Sequence, residues 1–185
     1  VVFPEKIVKS FRGPKYGVDG IRKLLKIYDR PLVGTIIKPK LGLKTPDHAN
    51  VAYEAWVGGC DIVKDDENLS SQRFNPFEER LTKTLERRDR AEEETGERKV
   101  YMINVTAETN EMLRKAEMVL EQGGEYVMID FLTCGFAALQ TFREQDFKLV
   151  VHAHRAGHAA ATKNPKHGIS MQVLAKIARI IGVDQ

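Results

Sequence analysis

The chain contains 185 residues, 42% hydrophobic and 30% charged, with a formal net charge of +3, which is typical of one soluble globular domain and not of a disordered chain. The 29 basic and 26 acidic residues are too evenly balanced to indicate a nucleic-acid partner. The chain has neither an apolar run near the ~18–20 residues of a membrane span nor a secretory signal pattern, so we expect a cytoplasmic protein without a membrane partner.

Strands and helices are predicted to alternate along the chain. A lead-in helix at 18–27 precedes five short apolar runs, each of which predicts a buried strand. The predicted strands lie at 33–37, 61–63, 100–103, 126–129 and 149–151. The predicted crossover helices lie at 47–57, 76–94, 110–122, 135–144 and 169–181. We expect Thr45 to cap the first crossover helix and Pro46 to lie in its first turn, while glycine pairs at 58–59 and 123–124 end two helices.

The order of these elements indicates a parallel sheet. Strands that are separated by single helices run parallel, and right-handed crossovers leave two main architectures, a doubly wound sheet and a (β/α) barrel. Both architectures place functional residues at the carboxyl ends of the strands. Polar residues follow every apolar run, namely Lys38 and Lys40, Lys64 to Glu67, Asn104 and Thr106, Asp130, and His152 to Arg155. For Asn104, Thr106 and Asp130, the ordinary polarity of a strand end is an equally good explanation.

The densest of these clusters is Lys64-Asp65-Asp66-Glu67. On an extended strand Lys64 and Asp66 face one side and Asp65 the other, while Glu67 can turn inward as the loop begins. Two carboxylates without cysteine suit a hard cation such as Mg²⁺. Because an ammonium cannot ligate a cation, two interpretations stay open. Either Lys64 neutralises the carboxylates in a salt bridge, or CO₂ converts its neutral amine into a carbamate that supplies a third oxygen ligand.

Two other strand ends carry basic residues. Lys38 and Lys40 would face the same way on the first strand and indicate an anion, with one lysine as a general base and the other on a phosphate or oxyanion. A pair of surface lysines is the plain alternative. His152 and His154 would share a face, and Arg155 follows them. Their spacing is compatible with a second metal site, a proton-transfer pair or a phosphate clamp.

Several motifs together point to a known family. They are GTIIKPKLGL at 34–43, GGCDIVKDDEN at 58–68, HAHRAGH at 152–158 and HGIS at 167–170. In this order and spacing they closely resemble the large subunit of ribulose-1,5-bisphosphate carboxylase/oxygenase (Rubisco), and the resemblance extends over essentially the whole chain. FEER at 77–80 and KNP at 163–165 are more similar to the archaeal form III enzymes than to the plant enzymes.

The resemblance implies a fold, a metal centre and an assembly. The implied fold is α/β, a parallel (β/α) TIM barrel. Lys64 is then carbamylated by an activator CO₂, and its carbamate binds Mg²⁺ together with Asp66 and Glu67. The implied partners are ribulose 1,5-bisphosphate, CO₂, O₂ and further copies of the chain in a homodimer or larger homo-oligomer.

The same resemblance implies which residues contact the substrate. Lys38 and Lys40 match catalytic lysines that also bind substrate: Lys38 is the base that enolises the sugar bisphosphate at C3, and Lys40 assists proton handling and stabilises charge. His154 matches a catalytic and substrate-binding residue on a hydroxyl near the reacting centre, and Arg155 a ligand of a phosphate. The implied reaction is carboxylation through an enediolate to two molecules of 3-phosphoglycerate, with oxygenation as the competing reaction.

The chain departs from the family pattern at one position and in length. Gly157 stands where the family usually has methionine, which is expected to loosen packing behind Arg155. About five of eight βα units are present, so we assign 1–30 to a lead-in segment and helix and 31–185 to the N-terminal part of the barrel, ending before strand six. We expect the isolated chain to be inactive. The alternatives are a shortened non-catalytic product that binds Mg²⁺ or associates with full-length subunits, a Rubisco-like enolase or isomerase, and an unrelated Mg²⁺-dependent sugar-phosphate lyase.

Overall fold

The computed structural model describes residues 2–185 as alternating strands and helices. The strands are β1 (Gly34–Ile36), β2 (Ile62–Lys64), β3 (Val100–Asn104), β4 (Tyr126–Asp130) and β5 (Val150–His154). The longer helices are α2 (Gly17–Leu25), α3 (Thr45–Val57), α4 (Phe77–Thr95), α5 (Thr109–Glu121), α7 (Phe136–Glu144) and α9 (Met171–Ile181). The four-residue helices are α1 (Glu5–Val8), α6 (Phe131–Cys134) and α8 (Ala159–Thr162). Within residues 2–185, no helix has the length and apolar character that crossing a membrane requires.

The five strands form one parallel sheet in the order β1-β2-β3-β4-β5. This order follows the chain without reversal, as in a (β/α) barrel, whereas a doubly wound sheet reverses its order at a switch point. The doubly wound alternative is therefore wrong. After α9 the chain lies beside β5, because the Asp184 N–H bonds to the Val151 oxygen at 2.9 Å and the Ala153 N–H bonds to the Gln185 oxygen at 2.8 Å. In a barrel, a sixth strand occupies this place.

Hydrophobic side chains pack on both faces of the sheet. The larger cluster joins one set of alternate strand residues to the helices that follow the strands; it includes Val63, Ile103, Ile129, Trp56, Leu81, Met112, Leu139 and Leu174. The smaller cluster joins the other set to α2; it includes Ile62, Met102, Met128, Val150, Ile21 and Leu25. Because side chains two residues apart share a face, Lys64 and His152 lie on the same face as the smaller cluster, nearer the carboxyl ends.

The first strand is shorter than the sequence pattern predicts. β1 ends at Ile36, so Lys38 and Lys40 lie in the loop that follows and not on the strand as expected. The Ile37 N–H still bonds to the Lys64 oxygen at 3.0 Å, but Pro39 carries no N–H with which the ladder could continue. The expected same-face arrangement of the two lysines on a strand is therefore wrong.

The other elements are confirmed within a few residues, with two differences among the helices. Thr45 is the first residue of α3, and Lys44, with extended backbone, is its cap. The Thr45 hydroxyl accepts no hydrogen bond from the helix N–H groups and instead donates to Asn75 Oδ1 at 3.1 Å. The helix predicted at 135–144 begins at 136, since Gly135 has a φ of +84°, outside the helical range. Helices α1, α6 and α8 were not predicted because four residues are too few to show a helical period.

Candidate active site at the strand ends

Polar side chains meet at the carboxyl edge of the sheet. The strand register places Ile36 beside Lys64 and Asp130 beside His154. We define the rim site as six side chains that ion-pair distances connect pairwise at this edge: Lys38, Lys64, Asp66, Glu67, Asp130 and His154. The two motifs that follow β1 and β2 therefore come together, as the parallel topology predicts.

Lys38 and Asp66 form an ion pair at the rim site. The Asp66 side chain is 1% exposed and the Lys38 side chain 55% exposed. Asp66 Oδ1 also accepts hydrogen bonds from the Asn68 N–H at 2.8 Å and from Asn68 Nδ2 at 2.9 Å. Burial acts to raise the pKa of Asp66, but the hydrogen bonds from Lys38 and Asn68 outweigh it and lower that pKa. The hydrogen bond to Asp66 raises the pKa of Lys38. The pair thus keeps Asp66 ionised and Lys38 protonated.

Lys64 lies behind this pair, with 13% of its side chain exposed. Its Nζ donates to the Asp65 backbone oxygen at 2.8 Å and lies 3.7 Å from Glu67 Oε2 and 3.6 Å from Met128 Sδ. Burial lowers the pKa of Lys64, and the neighbouring carboxylates, Glu67 foremost, only partly oppose that shift. The neutral amine, which is the nucleophilic form, is therefore more populated than in a lysine exposed to water.

The imidazole of His154 lies between two carboxylates. Its Nε2 is 3.7 Å from Glu67 Oε2, and its Nδ1 is 3.3 Å from Asp130 Oδ1. Nδ1 accepts a hydrogen bond from the Ala156 N–H at 3.2 Å, so in the neutral ring the proton is on Nε2. Asp130 Oδ1 then faces the lone pair of Nδ1, which cannot donate to it. This agrees with the finding that, in the described part of the chain, Asp130 Oδ1 is buried without a hydrogen-bond partner. His154 thus directs an N–H donor towards Glu67.

His152 is a neutral neighbour of the rim site. Its ring centroid lies 6.4 Å from that of His154. Burial, assisted by the positive charge of Lys64, lowers the pKa of His152 to about 4. Across residues 2–185, no group of three or more His, Cys, Asp or Glu side chains is arranged to hold a metal ion. The two histidines therefore give no support to a second metal site.

Lys40 and Arg155 are exposed and lie outside the contacts of the rim site. In the described structure, neither side chain makes a hydrogen bond or an ion pair. Arg155 lines a groove of about 620 Å³ between β5 and α9, to which His152 and His154 also contribute. The apolar part of its lining comes from Phe131, Ala153, Met171, Ala175, Ala178 and Val183. This groove is continuous with the rim site through the two histidines.

The sequence pattern indicates the direction of Asp65 but none of its partners. As expected, Asp65 points to the opposite, helix-covered face of β2, where it is 0% exposed. Its carboxylate accepts from Tyr101 Oη at 2.6 Å, from Arg80 Nε at 3.1 Å and from the Asn104 N–H at 3.1 Å, and His48 Nε2 lies 3.1 Å away. Although burial raises the pKa of Asp65, the Arg80 charge and the hydrogen bonds lower it to about 2.

Comparison with known proteins identifies relatives over nearly the whole chain. The family model "Ribulose bisphosphate carboxylase large chain, catalytic domain" matches residues 17–185. The ribulose bisphosphate carboxylase of Methanocaldococcus jannaschii is 63% identical over 183 residues, which cover 99% of this chain and 43% of that protein.

Solved structures agree with this result. Octameric Rubisco from Pyrococcus horikoshii OT3 superposes with a TM-score of 0.96 at 53% identity, over 98% of this chain and 43% of that one. Dimeric Rubisco from Hyperthermus butylicus gives a TM-score of 0.96 at 51% identity, over 99% of this chain and 43% of that one. The chain therefore spans less than half the length of the relatives that it matches.

Proposed function

This chain belongs to the ribulose bisphosphate carboxylase large-chain family, and from this premise we propose that it forms the CO₂-activated, metal-binding part of a Rubisco active site. The enzyme in which it acts converts ribulose 1,5-bisphosphate and CO₂ into two molecules of 3-phosphoglycerate, and O₂ competes with CO₂. It works as a homodimer or larger homo-oligomer, in keeping with the dimeric and octameric relatives. Residues 1–30 are its lead-in segment and 31–185 the first part of its barrel.

One observation carries this proposal. Lys38 and Lys64, from separate motifs, lie at one rim, where each is adjacent to one carboxylate of the Asp66-Glu67 pair. A base candidate, a nucleophilic amine and two oxygen ligands are thus in one place. A network of surface ion pairs does not require a half-buried amine, whereas this site contains one, the amine of Lys64.

The residues around Lys64 fit a carbamate and Mg²⁺. The Lys64 ammonium first loses one proton to give the neutral amine. The amine nitrogen then attacks the carbon of CO₂, so that an N–C bond forms as one C–O π bond opens, and a second proton leaves to solvent. The cationic side chain thereby becomes an anion, and Asp66, Glu67 and a carbamate oxygen would be the three metal ligands from the chain. This chemistry accounts for a site in which residues 2–185 offer no ready-made group of three acidic or histidine ligands. When bound, Mg²⁺ supplies Lewis-acid stabilisation of negative charge on substrate oxygens.

The lysines of the first loop handle the substrate proton. Lys38 removes the proton from C3 through its Nζ, but only after it leaves Asp66, because that ion pair raises its pKa. Lys40, exposed in the same loop, binds the substrate and stabilises the negative charge that forms on it. The exposure of both side chains permits this movement.

His154 and Arg155 complete the substrate contacts of this segment. His154 presents its Nε2–H to a substrate hydroxyl near the reacting carbon, because Nδ1 is occupied by the Ala156 N–H. Arg155 is free in the structure to bind one phosphate at the mouth of the β5–α9 groove. A guanidinium suits this task because its parallel N–H donors match two phosphate oxygens.

The proposal is tested in a chimera. The matching 183 residues of the Methanocaldococcus jannaschii relative are replaced by this chain, and CO₂-dependent formation of 3-phosphoglycerate and exchange of the C3 proton are measured. Lys64→Ala removes the carbamate. The matched control is Lys148→Ala, which makes the same change at an exposed lysine outside the rim site.

We expect the chimera and its Lys148→Ala variant to form product, and the Lys64→Ala variant to form none. C3 exchange without carboxylation would favour a Rubisco-like enolase or isomerase. An assembled chimera with neither activity would overturn the proposal and favour a non-catalytic Mg²⁺-binding or subunit-associating product. Full activity with Lys64→Ala would remove the carbamate assignment.

A further inference from the structure

Two buried side chains hold the backbone of the loop that carries Asp66 and Glu67. This loop runs from 65 to 76, between β2 and α4, and contains no helix. Apart from an isolated bridge between Gln72 and Asn75, the loop has no regular structure, so its backbone carbonyls need other partners, and side chains donate to six of them. Asn104 in β3 and Arg80 in α4 provide four of these six hydrogen bonds. Lys64 and Gln72 provide the other two, to the Asp65 and Asn68 oxygens.

The Asn104 amide uses both of its donors and one of its two acceptor positions. Nδ2 donates to the backbone oxygens of Glu67 at 2.9 Å and Leu69 at 3.2 Å, and Oδ1 accepts from the Thr106 N–H at 3.0 Å. Because Thr106 N–H can only donate, the oxygen of the amide must face it, and both N–H groups must face the loop. Asn104 is 1% exposed, so water cannot replace these bonds.

Asn104 is itself fixed by a buried carboxylate. Its backbone N–H donates to Asp65 Oδ2, which also accepts from Arg80 Nε, both at 3.1 Å. Arg80 then donates to the Ser70 oxygen at 2.7 Å and to the Asn75 oxygen at 2.9 Å. Arg80 thus holds the later part of the loop, and Asn104 the part at Glu67.

We propose that Asn104 is a positioning residue for the metal ligands, which sets the affinity of the rim site for Mg²⁺ through the backbone of Glu67. This inference rests on the proposed function, since it assumes that Glu67 is a ligand. Glu67 lies at the start of the loop with a quarter of its side chain exposed, so the hydrogen bond at its own carbonyl is the direct restraint on its position. Groups that orient metal ligands typically change metal affinity ~10–100-fold when removed.

The test compares Asn104→Ala with two controls in the chimera defined above. Asn110→Ala makes the same change at an exposed asparagine whose side chain has no hydrogen bond in the described residues. Val119→Ala removes core volume in α5 and lowers stability without removing a hydrogen bond to the loop. The dissociation constant for Mg²⁺ is measured by calorimetry at saturating bicarbonate, together with the midpoint of thermal unfolding.

We expect Asn104→Ala to weaken Mg²⁺ binding ~10–100-fold, while both controls keep the parent affinity even where Val119→Ala has the lower midpoint. Asn104→Asp, which keeps the acceptor and loses both donors, should show the same loss and gives a second measurement if alanine prevents folding. Unchanged Mg²⁺ affinity in both Asn104 variants would overturn the inference alone. A parent chimera without bicarbonate-dependent Mg²⁺ binding would overturn the proposed function and the inference with it.

Discussion

Asp65 and Asp66 are adjacent carboxylates with almost no exposure, yet they serve different parts of the molecule. Asp65 faces the helices, and its partner Arg80 is as buried as it is. Asp66 faces the rim, and its partner Lys38 is 55% exposed. A carboxylate held by buried partners stabilises the fold, whereas one held by an exposed lysine can exchange that partner for another ligand. The partner's exposure therefore separates the two roles better than the burial of the carboxylate does.

The largest expected effect comes from Asp65→Asn. This change leaves the Arg80 guanidinium buried without its counter-charge, and breaking a buried pair on one side costs about 3–5 kcal/mol. Urea unfolding of the chain measures the loss, with Asp19→Asn, at an exposed position of α2, as the matched control. A loss equal to that of the control would show that Asp65 is not the structural member of the pair.

The pH dependence of stability sharpens the same comparison. The folded pKa of Asp65 is about 2, below its value in the unfolded chain, so its contribution is complete above about pH 5 and is lost as the pH falls towards 2. The shift corresponds to about 2–3 kcal/mol at neutral pH. The difference in unfolding free energy between the wild type and Asp65→Asn should therefore shrink between about pH 5 and pH 2. A difference that stays constant over this range would contradict the lowered pKa of Asp65 and its role in stabilising the fold.

Compared with Asp65→Asn, the Asp66→Asn change should affect stability less and Mg²⁺ affinity more. We expect a smaller loss of stability than for Asp65→Asn, because the lost partner is an exposed lysine and both Asn68 donors can still find an amide oxygen. Mg²⁺ affinity should fall by more than the ~10–100-fold typical of outer-shell changes, since a ligand is removed. Calorimetry at saturating bicarbonate, beside urea unfolding, measures both quantities. Mg²⁺ binding at the parent affinity would place the metal elsewhere.

The smallest effect on stability is expected from Lys40→Ala. Lys40 is exposed without a hydrogen bond or ion pair in the described structure, so the midpoint of unfolding should not move. Carboxylation by the chimera should still fall, because the substrate loses a cationic contact. A wild-type rate would remove Lys40 from the substrate-binding residues.

The sequence was sufficient for the sheet and for the convergence of the polar strand ends, because parallel strands place their carboxyl ends together whatever the loops do. It did not indicate that Lys40 and Arg155 lie outside the contacts of the rim site. Periodicity located β2 to β5, and the order of Lys64, Asp65 and Asp66 on alternate faces was correct. Periodicity failed at Lys38 and Lys40. Pro39 lies between them, where it fixes its own φ and restricts the backbone of Lys38, and the loop there has no regular period that predicts side-chain direction.

The buried network could not be predicted. Arg80 lies in a helix of mixed charges, and nothing in its spacing separates an arginine that turns inward from those that face solvent. Asn104 followed an apolar run like any polar strand end, and only its contacts with Glu67 and Leu69 distinguish it. The Asn104 pairings join residues 35 and 37 positions apart, and those of Arg80 join residues 5 to 15 positions apart across a loop, so neither follows from a local helix or strand period.

The most direct test of the central claim is detection of the carbamate on Lys64. The chimera is equilibrated with ¹³C-labelled CO₂ and Mg²⁺, and a carbamate resonance is sought by ¹³C NMR, with Lys64→Arg as the control that keeps the charge but not the nucleophile. We expect one carbamate per chain, with a signal that grows with Mg²⁺ and is absent from the Lys64→Arg variant. No carbamate in the parent, or an equal signal in the variant, would contradict the claim.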